Sequence, residues 1–159
     1  MDIREFQEPD LPALIDLTIE AFRPLFDRYW PDLMSPKVFA HDHADWEAGY
    51  RLEVPALHDP QRNRFVTLAE VRGRILGYVG WNVTNGDSGR LKMVAVHPEC
   101  QGRGVGTALC RFVLDRMPAR GVVVTHIGTG GDDFHARARR LYESLGFRGM
   151  PVVDYTKAL

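Results

Sequence analysis

The order of elements along the chain predicts a mixed α+β fold. It implies a central mixed sheet whose first strands form an antiparallel meander and whose fourth and fifth strands run parallel, flanked by about four helices. Three observations carry this. Two runs rich in β-branched and aromatic residues, Phe65 to Val71 and Ile75 to Val83, meet at Arg72-Gly73, a two-residue hairpin signal. The nearly all-apolar run Leu91 to Val96 is followed by a helical pattern from Gly104 and then by the β-rich run Val122 to Ile127, the order of a parallel crossover. No repeat, low-complexity tract or linker breaks the 159 residues, so residues 1–159 read as one domain.

Each element has its own reason. Ile3 to Phe6 reads as a short first strand. Pro9 and Pro12 suit a first helical turn, and Leu11, Leu14, Ile15, Thr18 and Phe22 then repeat at helical spacing. Ser35-Pro36 is a helix start, cap then proline. The segment from Lys37 to Leu57 reads as helical with breaks, because its period is poor. After the hairpin, Thr84 to Gly89 is a polar turn leading into Leu91 to Val96. Val105, Ala108, Leu109, Phe112 and Val113 line one face of the next helix, which Pro118 and Gly121 end. Val122 to Ile127 reads as a buried strand. A last helix carries Ala138, Leu141, Tyr142 and Leu145 on one face and stops at Gly146, and Val152 to Ala158 reads as a final strand.

Composition narrows the function classes. A net charge of −1 gives no extended nucleic-acid surface, although Arg103, Arg111, Arg137, Arg139 and Arg140 crowd locally in a way that suits a ligand with several phosphates. No apolar run approaches the roughly 20 residues of a membrane span, and Met1 to Glu5 opens no secretory apolar region. The two cysteines, Cys100 and Cys110, lack metal-ligand spacing and are compatible with a reducing compartment, so the chain reads as cytoplasmic. His41, Asp42, His43 and Asp45 have irregular spacing and no second cluster, so no metal is expected.

The most specific motif is Val94-Ala95-Val96-His97-Pro98 followed by Gln101-Gly102-Arg103-Gly104-Val105-Gly106-Thr107. It reads as a strand, a turn and a glycine-rich loop opening a helix. The first helical turn leaves N–H groups unsatisfied and carries partial positive charge, so phosphate is a natural guest. Glycine permits close backbone approach and positive φ there. A Rossmann reading is weaker, because the third glycine is missing and the loop comes too late for a first βαβ unit.

These residues resemble the GNAT superfamily of N-acetyltransferases. Its signature loop, Gln/Arg-x-x-Gly-x-Gly/Ala, stands here as Gln101 to Gly106. Its second signature, Asn-x-x-Ala-x-x-Leu-Tyr and then Gly-Phe, stands as His135 to Tyr142 with Gly146-Phe147, with His135 in place of the usual Asn. The two cover about residues 90 to 147; the first half resembles the family only in its pattern of elements. The resemblance implies acetyl-coenzyme A as co-substrate, no metal, and a small-molecule or peptide amine as acceptor. Acetyl transfer would proceed by direct attack through a tetrahedral intermediate.

The resemblance also implies roles. Amides from Gln101 to Thr107 would hold the pyrophosphate. The strand Met93-Val94-Ala95-Val96 would splay from its neighbour to admit the pantetheine arm, with an N–H near Val94 facing the acetyl carbonyl. His135 would stand beside the cofactor. Tyr142 would be the general acid toward the leaving thiolate. The family's strand carboxylate is replaced here by Arg90-Leu91-Lys92. His126 is the single best substitute base, with Asp132, Asp133, Glu53 and a water relay open. Trp30, Trp46, Tyr50 and Trp81 are candidates for the acceptor pocket, and the short C-terminus points to a homodimer. Transfer of another acyl group, or a non-catalytic acyl-coenzyme A sensor, remain as alternative functions.

Overall fold

The hairpin signal at Arg72-Gly73 is the hinge of a five-stranded sheet of order β1-β2-β3-β4-β5. The computed structural model describes residues 1–84 and 86–159. The strands are β1 (Asp2–Glu5), β2 (Arg64–Val71), β3 (Arg74–Thr84), β4 (Ser88–Val96) and β5 (Val124–Ile127). The first four pair antiparallel, and β4 and β5 pair in parallel. Arg72 and Gly73 adopt φ of 50° and 77°, the mirror-image turn that matches strand twist. Asn85, within the expected Thr84 to Gly89 turn, lies outside the described residues.

Helices cover both faces. On one side lie α1 (Leu11–Pro24), α2 (Trp30–Leu33), α3 (Pro36–His43) and α4 (Trp46–Glu53). On the other are α5 (Val105–Leu114) and α6 (Ala136–Ser144). Pro24 has no N–H to continue the helical ladder, and the chain widens into a π turn over Leu25–Tyr29 before α2. Ser35 caps α3 by accepting the Val38 N–H, as its position before Pro36 predicts, and Asp45 caps α4 through the Ala48 N–H.

Two apolar clusters sandwich the sheet. Leu14, Leu17, Val54, Leu57, Val66, Leu68, Tyr78, Met93 and Ala95 fill the α1–α4 side. Val79, Trp81, Leu91, Leu109, Val113 and Tyr142 belong to the α5–α6 side. A β-bulge lets β4 serve both. Trp81 pairs with Leu91 and Gly80 with Met93, leaving Lys92 as the extra residue. Leu91 therefore faces the α5 side and Met93 the α1 side.

Two expectations fail. Val122 to Ile127 is not a buried strand: β5 is a four-residue edge strand, and Val123 and Val124 are 77% and 52% exposed. Its β-branched run resembles a two-sided core strand, but only β4 pairs with it. Val152 to Ala158 forms no strand, and residues 148–159 are irregular and exposed. The run docks on neither open edge of the sheet, β1 or β5, and strand propensity alone does not make a pair.

Candidate active site

β4 and β5 part company halfway. Their ladder runs from Ser88 and Val124 to Leu91 and Ile127, and β4 then continues to Val96 with that edge free. Main-chain direction alternates along a strand. The His97 N–H donates to Leu76 of β3, whereas the Val96 C=O accepts from Gln101 Nε2 at 3.1 Å, away from the sheet. Val94, in phase with Val96, consequently presents its N–H and C=O along the free edge.

This wedge is one wall of a cavity of about 1150 Å³, larger than the roughly 300–1,000 Å³ of a single drug-sized ligand site. Met93, Val94, Ala95, Val96, Gln101, Gly102, Gly104, Val105, Gly106, Thr107, His135 and Tyr142 all line it. Arg103 is exposed and does not.

At the loop, Gly104 sits at φ 82° as the residue before α5, a conformation open to glycine at little steric cost. Gly106 serves close packing instead: a Cβ there would lie 3.0 Å from Leu141 Cδ1. The N–H groups from Gly102 to Thr107 have no protein acceptor among the described residues, whereas the Ala108 N–H donates to the Gly104 C=O at 2.9 Å. Free amides converging on the N-terminus of a ten-residue helix make an anion cradle. Arg137 and Arg140 also line the cavity; Arg111 does not, and Arg139 is engaged with the carbonyls of Gly130 and Asp132 at 2.6 and 2.7 Å.

Tyr142 lies in the wall opposite the loop, 8% exposed. Burial raises its phenol above the ordinary range, and the nearby Cys110 adds to this. Its hydroxyl has no hydrogen-bond partner among the described residues and is not sealed from solvent. Tyr142 itself lines the cavity. Cys110 is a fully buried core residue whose thiol burial pushes up to about 12, and Cys100 borders the loop.

The His135 ring is held by Asp132, with Nδ1 2.9 and 2.8 Å from the two carboxylate oxygens. Asp132 also accepts the His135 N–H at 3.1 Å, capping the approach to α6. Burial pushes the Asp132 carboxyl up, but these hydrogen bonds outweigh it and hold it below its ordinary range. His126 is elsewhere. It is exposed on β5, in register with Arg90, and does not line the cavity. Successive strand residues alternate faces, so with Ile127 turned into the wedge His126 points to the opposite face.

The end of the cavity away from the loop is aromatic. Phe134, from the loop before α6, meets Phe22 of α1 and Tyr29 of the π turn at centroid distances of 6.0 and 5.7 Å. Phe22 meets Tyr50 of α4 at 5.3 Å. Of the four aromatic candidates only Tyr50 lines the cavity. Trp46 stacks on Phe26 at 4.4 Å, Trp30 packs on Phe26 and His43, and Trp81 is buried with Nε1 donating to Thr67. Sequence reasoning missed Phe22, Tyr29 and Phe134; the proline inside α1 was the one local hint of an irregular turn near Tyr29. Glu53, Asp133 and Lys92 complete this end.

Comparison with known proteins agrees with this geometry. A mycothiol acetyltransferase of Beutenbergia cavernae is 38% identical over 80 residues, which is 50% of this chain and 26% of that protein. The chain thus spans about a quarter of that relative's length. The PaiA N-acetyltransferase of Thermoplasma acidophilum, solved with coenzyme A, superposes with a TM-score of 0.74 at 15% identity, over 92% of this chain and 89% of that one. The ribosomal-protein-S18-alanine N-acetyltransferase of Escherichia coli superposes with a TM-score of 0.66 at 24% identity, over 94% and 79%. No helix among the described residues is long and apolar enough to cross a membrane. The sequence model of the acetyltransferase (GNAT) family matches residues 12–147, which contain the split strands, the amide cradle and Tyr142, and the chain belongs to that family.

Proposed function

We propose that this chain transfers the acetyl group of acetyl-coenzyme A to a primary amine by direct attack. The observation that carries the reading is the wedge between β4 and β5, which leads into a ring of free main-chain amides with Tyr142 in its wall. The amides from Gly102 to Thr107, with Arg137 and Arg140 beside them, hold the pyrophosphate. The free edge from Met93 to Val96 pairs with the pantetheine arm, and the Val94 N–H stabilises the oxyanion that forms on the acetyl carbonyl. The ring of His135, fixed by Asp132, borders the arm.

An amine attacks only when neutral. Glu53 lines the acceptor end and takes the ammonium proton, directly or through a water. The C–N bond then forms, and the nitrogen, now cationic, loses its surplus proton to solvent. The tetrahedral intermediate collapses and the C–S bond breaks; Tyr142 gives its proton to the departing sulfur and regains one from solvent. His126, outside the cavity, takes no part in this scheme. The names of the relatives span a small-molecule and a protein acceptor, and the acceptor here is a small-molecule or peptide amine.

Calorimetry with acetyl-coenzyme A, and a panel of amines scored by thiol release, test the reading together. Binding with acceptor-dependent thiol release is expected. Folded protein that takes up neither coenzyme A nor acetyl-coenzyme A overturns it.

A further inference from the structure

The acceptor end of the cavity holds two opposite charges that do not meet. Glu53 closes α4, and Lys92 is the extra residue of the β4 bulge; both line the cavity. Neither forms an ion pair with any described residue. Lys92 adjoins Met93, which also lines the cavity and meets the Tyr78 hydroxyl at 3.0 Å. Burial raises the phenols of Tyr50 and Tyr78, and the negative charge of Glu53 raises both further.

Arg90, in register with His126 on β5, does not line the cavity, so Lys92 is the cation of β4 that does. A dicationic acceptor would meet Lys92 as a like charge. A plain monoamine would use Glu53 and leave Lys92 idle.

Resting on the acetyl-transfer reading, we infer that the acceptor is a small amino-carboxylate zwitterion, its ammonium group directed to Glu53 and its carboxylate to Lys92, with an apolar or aromatic side chain against Phe22, Tyr29 and Phe134. The carboxylate is a specificity handle, separate from the chemistry.

The test uses products, which carry no amine to titrate. In the presence of coenzyme A, N-acetyl amino acids and their C-terminal amides, with aromatic, aliphatic and polar side chains, are titrated as matched pairs. The carboxylate of a pair is expected to bind about tenfold more tightly than the amide. Lys92→Gln should bring that ratio to within about twofold, and Lys92→Arg should retain it. Equal binding of the pair, tighter binding of the amide, binding of neither, or a preference that survives Lys92→Gln each overturns the zwitterion. The parent reading fails separately, through absence of coenzyme A binding and of thiol release with any amine. Thiol release from uncharged amines without a carboxylate preference sinks the inference alone.

Discussion

The two ends of the cavity are built by different means. The end where we place the cofactor is made of main chain: six consecutive residues, Gly102 to Thr107, supply free amides at the start of α5. The acceptor end is made of side chains from distant segments, with Phe22, Tyr29, Tyr50, Glu53, Lys92 and Phe134 brought together by α1, the π turn, α4, β4 and the loop before α6. Main-chain recognition demands a local conformation and so leaves a local signature. Side-chain recognition demands only that certain residues end up adjacent, which leaves no spacing to read.

This division can be broken by substitution, and the largest effect is expected at the cradle. Gly104→Leu should reduce acetyl-coenzyme A affinity by about 100-fold or more, roughly 3 kcal/mol, measured by calorimetry. No atom crowds that position, so strain at φ 82° and a displaced loop are the cause. Unchanged affinity would refute the cradle.

Tyr142→Phe comes next. Loss of a positioned acid should lower kcat about 10²- to 10³-fold while coenzyme A affinity stays within twofold. The missing hydroxyl leaves no partner stranded, so the fold should persist. An unaltered thiol-release rate in that variant would sink the acid role of Tyr142. The pH dependence follows from the raised phenol. The acid role needs the protonated form, and burial extends that form above the ordinary phenol range near ~10. The kcat profile should show no fall assignable to Tyr142 below about pH 10; a falling limb near pH 8 that vanishes in Tyr142→Phe would contradict this.

Phe134→Ala probes the other end. Removing its contacts with Phe22 and Tyr29 should raise the acceptor KM about tenfold, near 1.4 kcal/mol, and leave the KM for acetyl-coenzyme A within twofold. An effect confined to the acetyl-coenzyme A KM would dissolve the separation of the two ends.

The smallest kinetic effect is expected away from both. Arg4 pairs with Asp10 at 2.8 Å and with Glu70 at 2.8 Å, joining β1, β2 and the entry to α1. Hydrogen bonding from Arg4 holds the Asp10 carboxyl below its ordinary value, outweighing the burial that raises it. A depressed folded-state pKa contributes stability that is present above the unfolded value of about 3.9 and is lost as pH falls through the folded one. Asp10→Asn should therefore cost about 1–2 kcal/mol in denaturant unfolding at pH 7 and flatten the acid limb below about pH 4. Kinetic constants at both ends of the cavity should be unchanged.

Legibility followed the same division. The hairpin at Arg72-Gly73, the cap at Ser35, the stop at Gly146 and the loop from Gln101 to Thr107 were readable because turn and cap chemistry is local. The helical faces of α5 and α6 were readable from their period. β5 was misjudged because a β-branched run looks the same whether one neighbour or two pair with it. The run Val152 to Ala158 was misjudged because strand propensity does not tell whether a segment docks on an open edge, and this one leaves the edge of β5 uncovered. His126 illustrates the parity problem: one residue along a strand separates a wall of the cavity from the opposite face, and parity depends on how β5 registers with β4. Lys92 was visible only as a missing carboxylate. Its place in the cavity comes from a bulge that exists only where β3 and β4 pair.

By itself, then, the amino-acid order determined the element succession as far as α6, the glycine loop and the place of Tyr142, since each follows from backbone preferences within a few residues. Tertiary structure alone decided where β4 and β5 separate, which aromatics from α1, α4 and the loop before α6 converge, and that Glu53 and Lys92 share a cavity unpaired. Those outcomes depend on strand register and on packing between segments tens of residues apart, and neither quantity is encoded in any local spacing.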